Sequence, residues 1–292
     1  MTSPGPQDPN KPSAASDALL VLENVTVAYP ARRSLLRRSA PPSIAVASVS
    51  LSIRRGETVG LVGESGCGKT TLCRAILQLQ PVTSGRILLD GQDLSQHSGA
   101  GLRMLRREFQ MVFQDPYASL NPRFTVFSTL AEAIMARTGP LPREELMERV
   151  RSLLERTGLN PAFALKYPHE FSGGQRQRIA IARALAPEPR LLIADEPVSA
   201  LDVSIQSQIL NLLQSLTRDL NLTMLFISHD LGVVRYLSDR VAVMHRGSIV
   251  EVGNTLQIMH EPAHAYTRTL LAAAPGARLR STPVPAATGE LP

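Results

Sequence analysis

Two short glycine-containing stretches of the sequence have the residue types needed to bind phosphate. Residues 63–70 fit the P-loop pattern G-x-x-x-x-G-K-[ST] and follow an apolar, β-prone run, residues 58–62. In such a loop the glycines let backbone amides surround phosphates, Lys69 reaches the outer phosphates, and the Thr70 hydroxyl is placed for Mg²⁺. This stretch predicts a nucleotide-phosphate site between a strand and a helix.

The second stretch begins with Ser172, Gly173 and Gly174, which open a predicted helix rich in small residues. The first N–H groups of a helix have no partner within the helix, and glycines leave them open to an anion. Pro187 and Pro189 end the helical pattern. We therefore predict a second phosphate-binding device here.

Acidic residues follow a third stretch, the apolar run 191–194, which is typical of a buried parallel strand. Asp195 and Glu196 come directly after it, and His229 follows another predicted strand, residues 223–227. Ligands of open α/β sheets bind beyond the carboxyl ends of strands. We expect Asp195 to complete a Mg²⁺ site, as the acid at a second strand end does in P-loop nucleotide hydrolases.

The elements that must position these residues alternate between strands and helices, which predicts an α/β fold. The early part is β-rich, helical periodicity runs from residue 125 to 165, and an amphipathic helix follows Asp202. Residues 31–44 contain arginines and two prolines, which predicts a loop. The predicted strands are residues 19–27, 45–53, 58–62, 85–90, 191–194 and 223–227, with a hairpin at 241–252.

Length and composition describe an ordinary soluble protein. The chain has 292 residues, of which 43% are hydrophobic and 19% charged. It lacks a run of about 18 apolar residues and a recognisable signal peptide, so we expect a cytoplasmic location. Cys67 and Cys73 are the two cysteines, and their spacing supports neither a disulfide framework nor a cysteine-rich metal site.

The net charge of +6 comes from 31 basic and 25 acidic residues. Much of the positive charge lies in two arginine clusters, residues 32–38 and 103–107, and the chain has no tryptophan. Without interleaved aromatic residues, these clusters favour a solvated or membrane-proximal surface over a nucleic-acid site. We expect no nucleic-acid partner.

A P-loop alone indicates only a nucleotide-binding class. Four motifs occur in order: the P-loop, residues 172–175, the Asp195–Glu196 pair and residues 199–202. Together they resemble the ATP-binding cassette of the ABC superfamily, over residues 20–272. The resemblance implies a P-loop NTPase core with an antiparallel β subdomain and an inserted α-helical subdomain.

This resemblance, together with composition, suggests a division of the chain. The cassette would occupy residues 18–272, with the helical subdomain at about residues 115–185 within it. Residues 1–17 and 273–292 are rich in proline, alanine and small polar residues, so we expect disordered tails.

The resemblance also implies roles for individual residues. Glu196 would polarise the attacking water, His229 would hold the γ-phosphate and the water, and Tyr29 would stack on adenine. Gln114 would take a water or Mg²⁺ ligand position. The expected catalytic residues are Glu196, His229 and Gln114, and the expected metal ligands are Thr70, Gln114 and Asp195. The expected ATP-binding residues are Tyr29, Gly63, Glu64, Ser65, Gly66, Cys67, Gly68, Lys69, Thr70, Thr71, Ser172, Gly173, Gly174, Gln175 and Asp202.

Partners are likewise implied by the resemblance. Two cassettes would pair head to tail, so that each ATP lies between one P-loop and residues 172–174 of the other chain. Gln114 and the helical subdomain would pass this movement to two transmembrane permease subunits. The second cassette would be a similar but non-identical chain, with a homodimer as the alternative. The protein would then lie at the cytoplasmic face of the inner membrane.

Residues 115–123 and 260–271 resemble the oligopeptide, dipeptide and nickel importer branch, although Ala265 stands where proline is usual. An extracellular or periplasmic solute-binding protein would select the cargo, so peptides, nickel and metal chelates all stay open. The absence of cysteine after Cys73 argues against the iron–sulfur extension of some members. The rival hypotheses are a soluble cassette protein acting on DNA or ribosomes, and a regulatory cassette that hydrolyses little ATP.

Overall fold

The computed structural model describes residues 17–30 and 42–273. Most of the predicted tails, most of the predicted loop 31–44 and the whole first arginine cluster therefore lie outside the described residues. Ala273, which was assigned to the C-terminal tail, is instead the last residue of a described helix, Ala265–Ala273. Asp17 also lies inside the described residues, and its carbonyl accepts a hydrogen bond from the backbone N–H of Arg55 over 3.1 Å.

The described strands form a six-stranded and a four-stranded sheet. The strands are β1 (Ala18–Tyr29), β2 (Ser43–Arg54), β3 (Thr58–Val62), β4 (Ser84–Leu89), β5 (Gln92–Asp93), β6 (Phe109–Val112), β7 (Leu191–Asp195), β8 (Thr223–Ile227), β9 (Arg240–His245) and β10 (Ser248–Asn254). The larger sheet has the order β10-β9-β3-β8-β7-β6. Its strands run parallel except for the edge strand β10, which pairs antiparallel with β9. The mixed α/β prediction is confirmed.

The three strands that carry the chemical residues lie inside the larger sheet. Every residue of β3, β7 and β8 is buried. Strands covered on both faces need apolar side chains at every position, which explains their continuous apolar sequences. Leu61 and Asp195 both pair with Ile227, so the carboxyl ends of these strands lie side by side.

The smaller sheet is antiparallel and has the order β2-β1-β4-β5. Its strand β2 begins at Ser43, where Ser43 pairs with Tyr29, rather than at the predicted Ala45. The predicted loop therefore extends two residues too far. Backbone hydrogen bonds to β1 extend the strand to Ser43, and the local sequence contains no signal for this pairing.

Helices connect and cover the sheets. They are α1 (Lys69–Ile76), α2 (Gly99–Leu105), α3 (Pro116–Ser119), α4 (Val126–Thr138), α5 (Arg143–Arg156), α6 (Gly173–Leu185), α7 (Val203–Asp219), α8 (Leu231–Leu237), α9 (Thr255–His260) and α10 (Ala265–Ala273). The short helices α2, α3, α8, α9 and α10 and the short strands β5 and β6 were not predicted. None of the helices in the described part of the chain combines the length and apolar character that a membrane span requires.

The core has three parts. Helix α1 packs between the two sheets, while α7 and α8 cover the opposite face of the larger sheet. A third apolar cluster joins α4 and α5. Helix α6 belongs to two of these parts, since Ile181 and Leu185 pack on the sheet whereas Ile179 and Ala182 pack in the helical cluster. This helix therefore connects the helical region to the sheet.

Candidate functional site

The P-loop follows β3 and lies tightly against neighbouring backbone. Gly68 has a φ of 112°, and a Cβ atom there would lie 2.3 Å from the carbonyl oxygen of Ala45. At Gly63, with a φ of 154°, a Cβ atom would lie 2.2 Å from the carbonyl oxygen of Met244. Only glycine fits at these two positions, because the conformation and the space both exclude a side chain.

Lys69 is buried within the loop that precedes it. Its ammonium donates to the carbonyl oxygens of Gly63 over 2.7 Å and Glu64 over 2.9 Å. The loop thus wraps around a cation that two carbonyl dipoles hold in place. A phosphate entering this loop would meet a fixed positive charge together with the N-terminal end of α1.

Thr70 and Asp195 form the second part of the site. Their side chains are hydrogen-bonded, and Asp195 is buried at the end of β7. Burial raises the pKa of the Asp195 carboxyl, and the charge of Glu196 raises it further, against the opposing effects of Thr70 and Lys69. A buried carboxylate of this kind favours a bound cation.

These donors fit Mg²⁺, which prefers hard oxygen ligands and usually keeps several waters and phosphate oxygens. The described residues contain no group of three or more His, Cys, Asp or Glu side chains that could hold a metal. A magnesium ion here would be held by the Thr70 hydroxyl, the Asp195 carboxylate and nucleotide phosphates, with the Gln114 amide as the third predicted protein ligand, rather than by an all-protein cage.

Glu196 lies at the centre of a three-residue cluster. Its Oε2 accepts a hydrogen bond from Gln114 Nε2 over 3.3 Å and lies 3.2 Å from His229 Nδ1. Glu196 is largely buried, whereas the His229 side chain is 57% exposed. The structure thus brings the three sequence-predicted catalytic residues together, beside the carboxyl ends of β7 and β8.

The backbone of Glu196 is held in an unusual conformation. Its φ is 47°, in the left-handed region, and its N–H donates to the carbonyl oxygen of Ile227 over 3.0 Å. A non-glycine residue in this region costs on the order of 1–3 kcal/mol, and such strain concentrates at functional sites. The bond to β8 stabilises the turn that follows Asp195.

Ser199 joins this cluster and was not assigned a role from the sequence. Its hydroxyl accepts a bond from Gln114 Nε2 over 3.4 Å and donates to the carbonyl oxygen of Glu196 over 3.1 Å. The available signal was its place in the motif 199–202, which gives its position in the chain but no contact. Ser199 links the glutamine to the backbone of the glutamate.

Tyr29 lies near the P-loop helix. Its hydroxyl and that of Thr71 share a hydrogen bond of 3.3 Å, and 36% of the tyrosine is exposed. Tyr29 is the last residue of β1 and pairs with Ser43 of β2. An exposed ring beside α1 is available to a flat ligand.

The second phosphate-binding stretch lies in different surroundings. Ser172 caps α6: its hydroxyl accepts from Gln175 N–H over 3.3 Å, and the Gln175 side chain accepts from Ser172 N–H over 3.0 Å. A Cβ atom at Gly174 would lie 2.5 Å from Ile205 Cγ2, so close packing against α7 requires this glycine. Gly173 is exposed.

Asp202 is also exposed, at the N-cap position of α7, where its side chain makes no capping hydrogen bond. Among the hydrogen bonds found in residues 17–30 and 42–273, none connects residues 172–175 or Asp202 to the P-loop. The structure therefore assembles one group of the predicted site residues around the P-loop, whereas Ser172, Gly173 and Asp202 are exposed and make no described hydrogen bond to that loop.

Comparison with known proteins identifies the family to which these motifs belong. Residues 46–199 match the family model for the ABC transporter. The chain is 50% identical over 271 residues to the oligopeptide transport ATP-binding protein AppF of Bacillus subtilis, covering 92% of this chain and 82% of AppF. It is also 50% identical over 262 residues to the glutathione import ATP-binding protein GsiA of Pectobacterium atrosepticum, covering 90% of this chain but 42% of GsiA.

Solved structures show the same fold. The post-hydrolysis dimer of the ATP-binding cassette MJ0796, bound to ADP and Pi, has a TM-score of 0.71 and 31% identity, covering 81% of this chain and 98% of that one. CbiO1 from Clostridium perfringens, part of the transporter complex CbiONQ, has a TM-score of 0.72 and 31% identity, covering 84% and 92%. The chain belongs to the ABC transporter family, as an ATP-hydrolysing subunit.

Proposed function

We propose that this chain is the ATP-hydrolysing subunit of an importer for peptides or related small solutes. The observation that carries the proposal is the cluster of Glu196, Gln114 and His229 beside the P-loop, in a chain half identical to AppF. The names of AppF and GsiA point to oligopeptides and glutathione as the class of cargo. Nickel and metal chelates are the alternative cargo.

Hydrolysis would use the groups that the structure brings together. Glu196 would orient the attacking water and accept its proton, with His229 holding the water and the terminal phosphate. Lys69 would stabilise the charge that develops on the phosphate oxygens. Thr70, Asp195 and Gln114 would hold Mg²⁺, which supplies further charge neutralisation when bound.

We propose that Ser172, Gly173, Gly174, Gln175 and Asp202 act on the nucleotide of a second cassette. Within the described residues they make no hydrogen bond to this chain's own P-loop, and Ser172, Gly173 and Asp202 are exposed, which supports the proposal. The second cassette would be a similar but non-identical chain or a second copy of this one.

Sedimentation of a hydrolysis-deficient variant tests this pairing. With Glu196→Gln and saturating ATP, we expect a shift from monomer to dimer, in a homodimer or in a mixture with the non-identical chain. Adding Ser172→Arg to that variant should abolish the shift, because the long cation replaces the hydroxyl at the surface. Dimerisation unaffected by Ser172→Arg contradicts the assignment of the second surface.

A groove between the sheet and the helical region is suited to a permease segment. It has a volume of about 900 Å³ and is lined by apolar side chains, including Phe113 and Phe124. Four arginines and a single glutamate also line it, so it favours an acidic, amphipathic partner. We propose that a short cytoplasmic segment of one permease subunit docks in this groove, near Gln114, and that the second permease subunit docks on the second cassette in the same way.

Charge reversal at the groove separates docking from hydrolysis. Arg103 is exposed at the groove and lies away from Glu196 in the sequence and the site. Arg103→Glu should reduce co-purification with the permease by tenfold or more while basal ATP hydrolysis is retained. Arg218→Glu, at the end of α7, is the matched control. Equal permease recovery for both variants refutes the docking proposal.

Purification from native membranes tests the proposed function as a whole. We expect a tagged chain to recover two permeases, a second cassette and an extracellular or periplasmic solute-binding protein, and to lie at the cytoplasmic face of the inner membrane. The binding protein's ligand would then identify the cargo. Recovery of ribosomes or DNA-repair proteins instead would overturn the transport proposal and leave the ATPase chemistry in place.

A further inference from the structure

Tyr266 of α10 contacts the P-loop directly. The backbone N–H of Glu64 donates to the Tyr266 hydroxyl over 3.2 Å. The family match ends at residue 199, well before this tyrosine. We propose that Tyr266 is a positioning residue that acts through Glu64 on Lys69, an inference that rests on the proposed ATP hydrolysis.

Glu64 connects the two side chains because both of its backbone polar groups are engaged. Its N–H binds Tyr266, and its carbonyl oxygen accepts from Lys69 Nζ over 2.9 Å. The second acceptor of the ammonium is the carbonyl oxygen of the preceding residue, Gly63. A displacement of Glu64 therefore moves one of the two dipoles that hold the phosphate-binding cation. Fixing Glu64 holds the lysine where an incoming phosphate meets it.

Tyr266 is itself held in place on the sheet. Its ring stacks on His245 with 3.8 Å between ring centroids and 14° between planes. His245 ends β9, which lies beside the P-loop strand β3, with Val62 and Val243 paired. The Tyr266 hydroxyl is neutral near pH 7, and burial raises its pKa further above the ordinary value of 10.0.

The segment before α10 is fixed independently. The backbone N–H groups of Ala263 and His264 donate to the Glu251 carboxylate over 2.8 and 3.0 Å. Strand β10, which carries Glu251, pairs with β9. The segment that carries Tyr266 is therefore attached to the sheet by these two hydrogen bonds.

A tyrosine required only for packing could be replaced by phenylalanine without effect. Tyr266→Phe keeps the ring and its stacking on His245 but removes the hydroxyl, leaving Glu64 N–H without this acceptor. We expect the KM for ATP to rise about threefold to tenfold, the range that the loss of one hydrogen bond gives. The kcat should change less than about twofold, because the groups around Glu196 are untouched.

Tyr236→Phe is a matched control. Its hydroxyl donates to Asn211 and lies near Gln214 on α7, away from the P-loop. This variant should retain both kinetic constants. Binding of a fluorescent ATP analogue, measured without hydrolysis, should show the same weakening for Tyr266→Phe and none for the control. Tyr266→Leu, which also loses the stacking, should in addition lower the melting temperature.

The outcomes distinguish this inference from the proposed function. If the wild-type chain with its partners fails to hydrolyse ATP, the proposed function is wrong. If it hydrolyses ATP and Tyr266→Phe matches Tyr236→Phe in KM and in analogue binding, the positioning role is refuted. A proportional loss of kcat and melting temperature at unchanged KM would show a purely structural role and equally refute it.

Discussion

Replacing Glu196 by glutamine tests the central assignment of the site. Glutamine has nearly the same size and can still accept a hydrogen bond from Gln114, so the cluster should keep its arrangement. The change removes the negative charge and the ability to accept a proton. It also removes one of the influences that raise the pKa of Asp195, which makes that carboxylate easier to ionise.

The structure therefore predicts opposite effects on two steps. Loss of a positioned general base typically reduces kcat by about 10²- to 10⁴-fold, or roughly 3–5 kcal/mol in the barrier. Nucleotide binding should be retained or strengthened, since Lys69, Thr70 and Asp195 are unchanged and Asp195 ionises more readily. The melting temperature without nucleotide should stay close to that of the wild type.

Single-turnover hydrolysis with excess protein measures the chemical step, and equilibrium titration with a fluorescent ATP analogue measures binding. Glu145→Gln on α5 is the control, because its carboxylate pairs with Arg149 outside the site. This control should hydrolyse ATP at the wild-type rate. A Glu196→Gln rate within tenfold of the wild type, or an equal loss of binding and hydrolysis, would refute the assignment of Glu196 as the base.

Three further predictions follow from the site. In the folded protein the pKa of Asp195 is raised above its ordinary 3.8. Between 3.8 and the raised pKa the folded state binds more protons than the unfolded state, so the free energy of unfolding falls as the pH rises. Above about pH 4, Asp195→Asn should therefore raise the melting temperature of the nucleotide-free protein, by about 2–4 °C for each kcal/mol gained in the free energy of unfolding. The same variant should abolish hydrolysis. Equal melting curves for the variant and the wild type at pH 7 would contradict this prediction. Gly68→Ala should lower the free energy of unfolding, measured in urea, by about 2 kcal/mol or more, because the new Cβ atom would clash with the backbone of β2. Gly66→Ala should lower it by about 1 kcal/mol, because a Cβ atom there meets no atom within 4 Å. Equal losses for the two variants would argue against the clash. Ser199→Ala should reduce kcat about threefold to tenfold at unchanged KM, as expected for one lost hydrogen bond. Ser207→Ala on α7 is the control. Equal rates for the two variants would exclude a role for Ser199.

Much of the fold was predictable because its signals are local. The strands β3, β7 and β8 are apolar at every position, and this follows from burial on both faces. The start of α6 was predictable because Ser172 and Gln175 satisfy each other's backbone within four residues. The short helices were missed, since segments of four to nine residues depend on tertiary packing rather than on their own propensity.

The sequence by itself determined the P-loop, since its glycines, lysine and threonine lie within eight residues and encode the loop conformation directly. It also pointed to Gln114, Glu196 and His229, through the family resemblance that the ordered motifs carry. Only the tertiary structure decided which of these touch, that Ser199 joins them, and that Gly174 is required by packing on α7. The contact between Glu64 and Tyr266 spans 202 positions and exists because β9 lies beside β3 in the sheet. Strand order depends on the packing of the whole chain, so no local pattern of residues contains it.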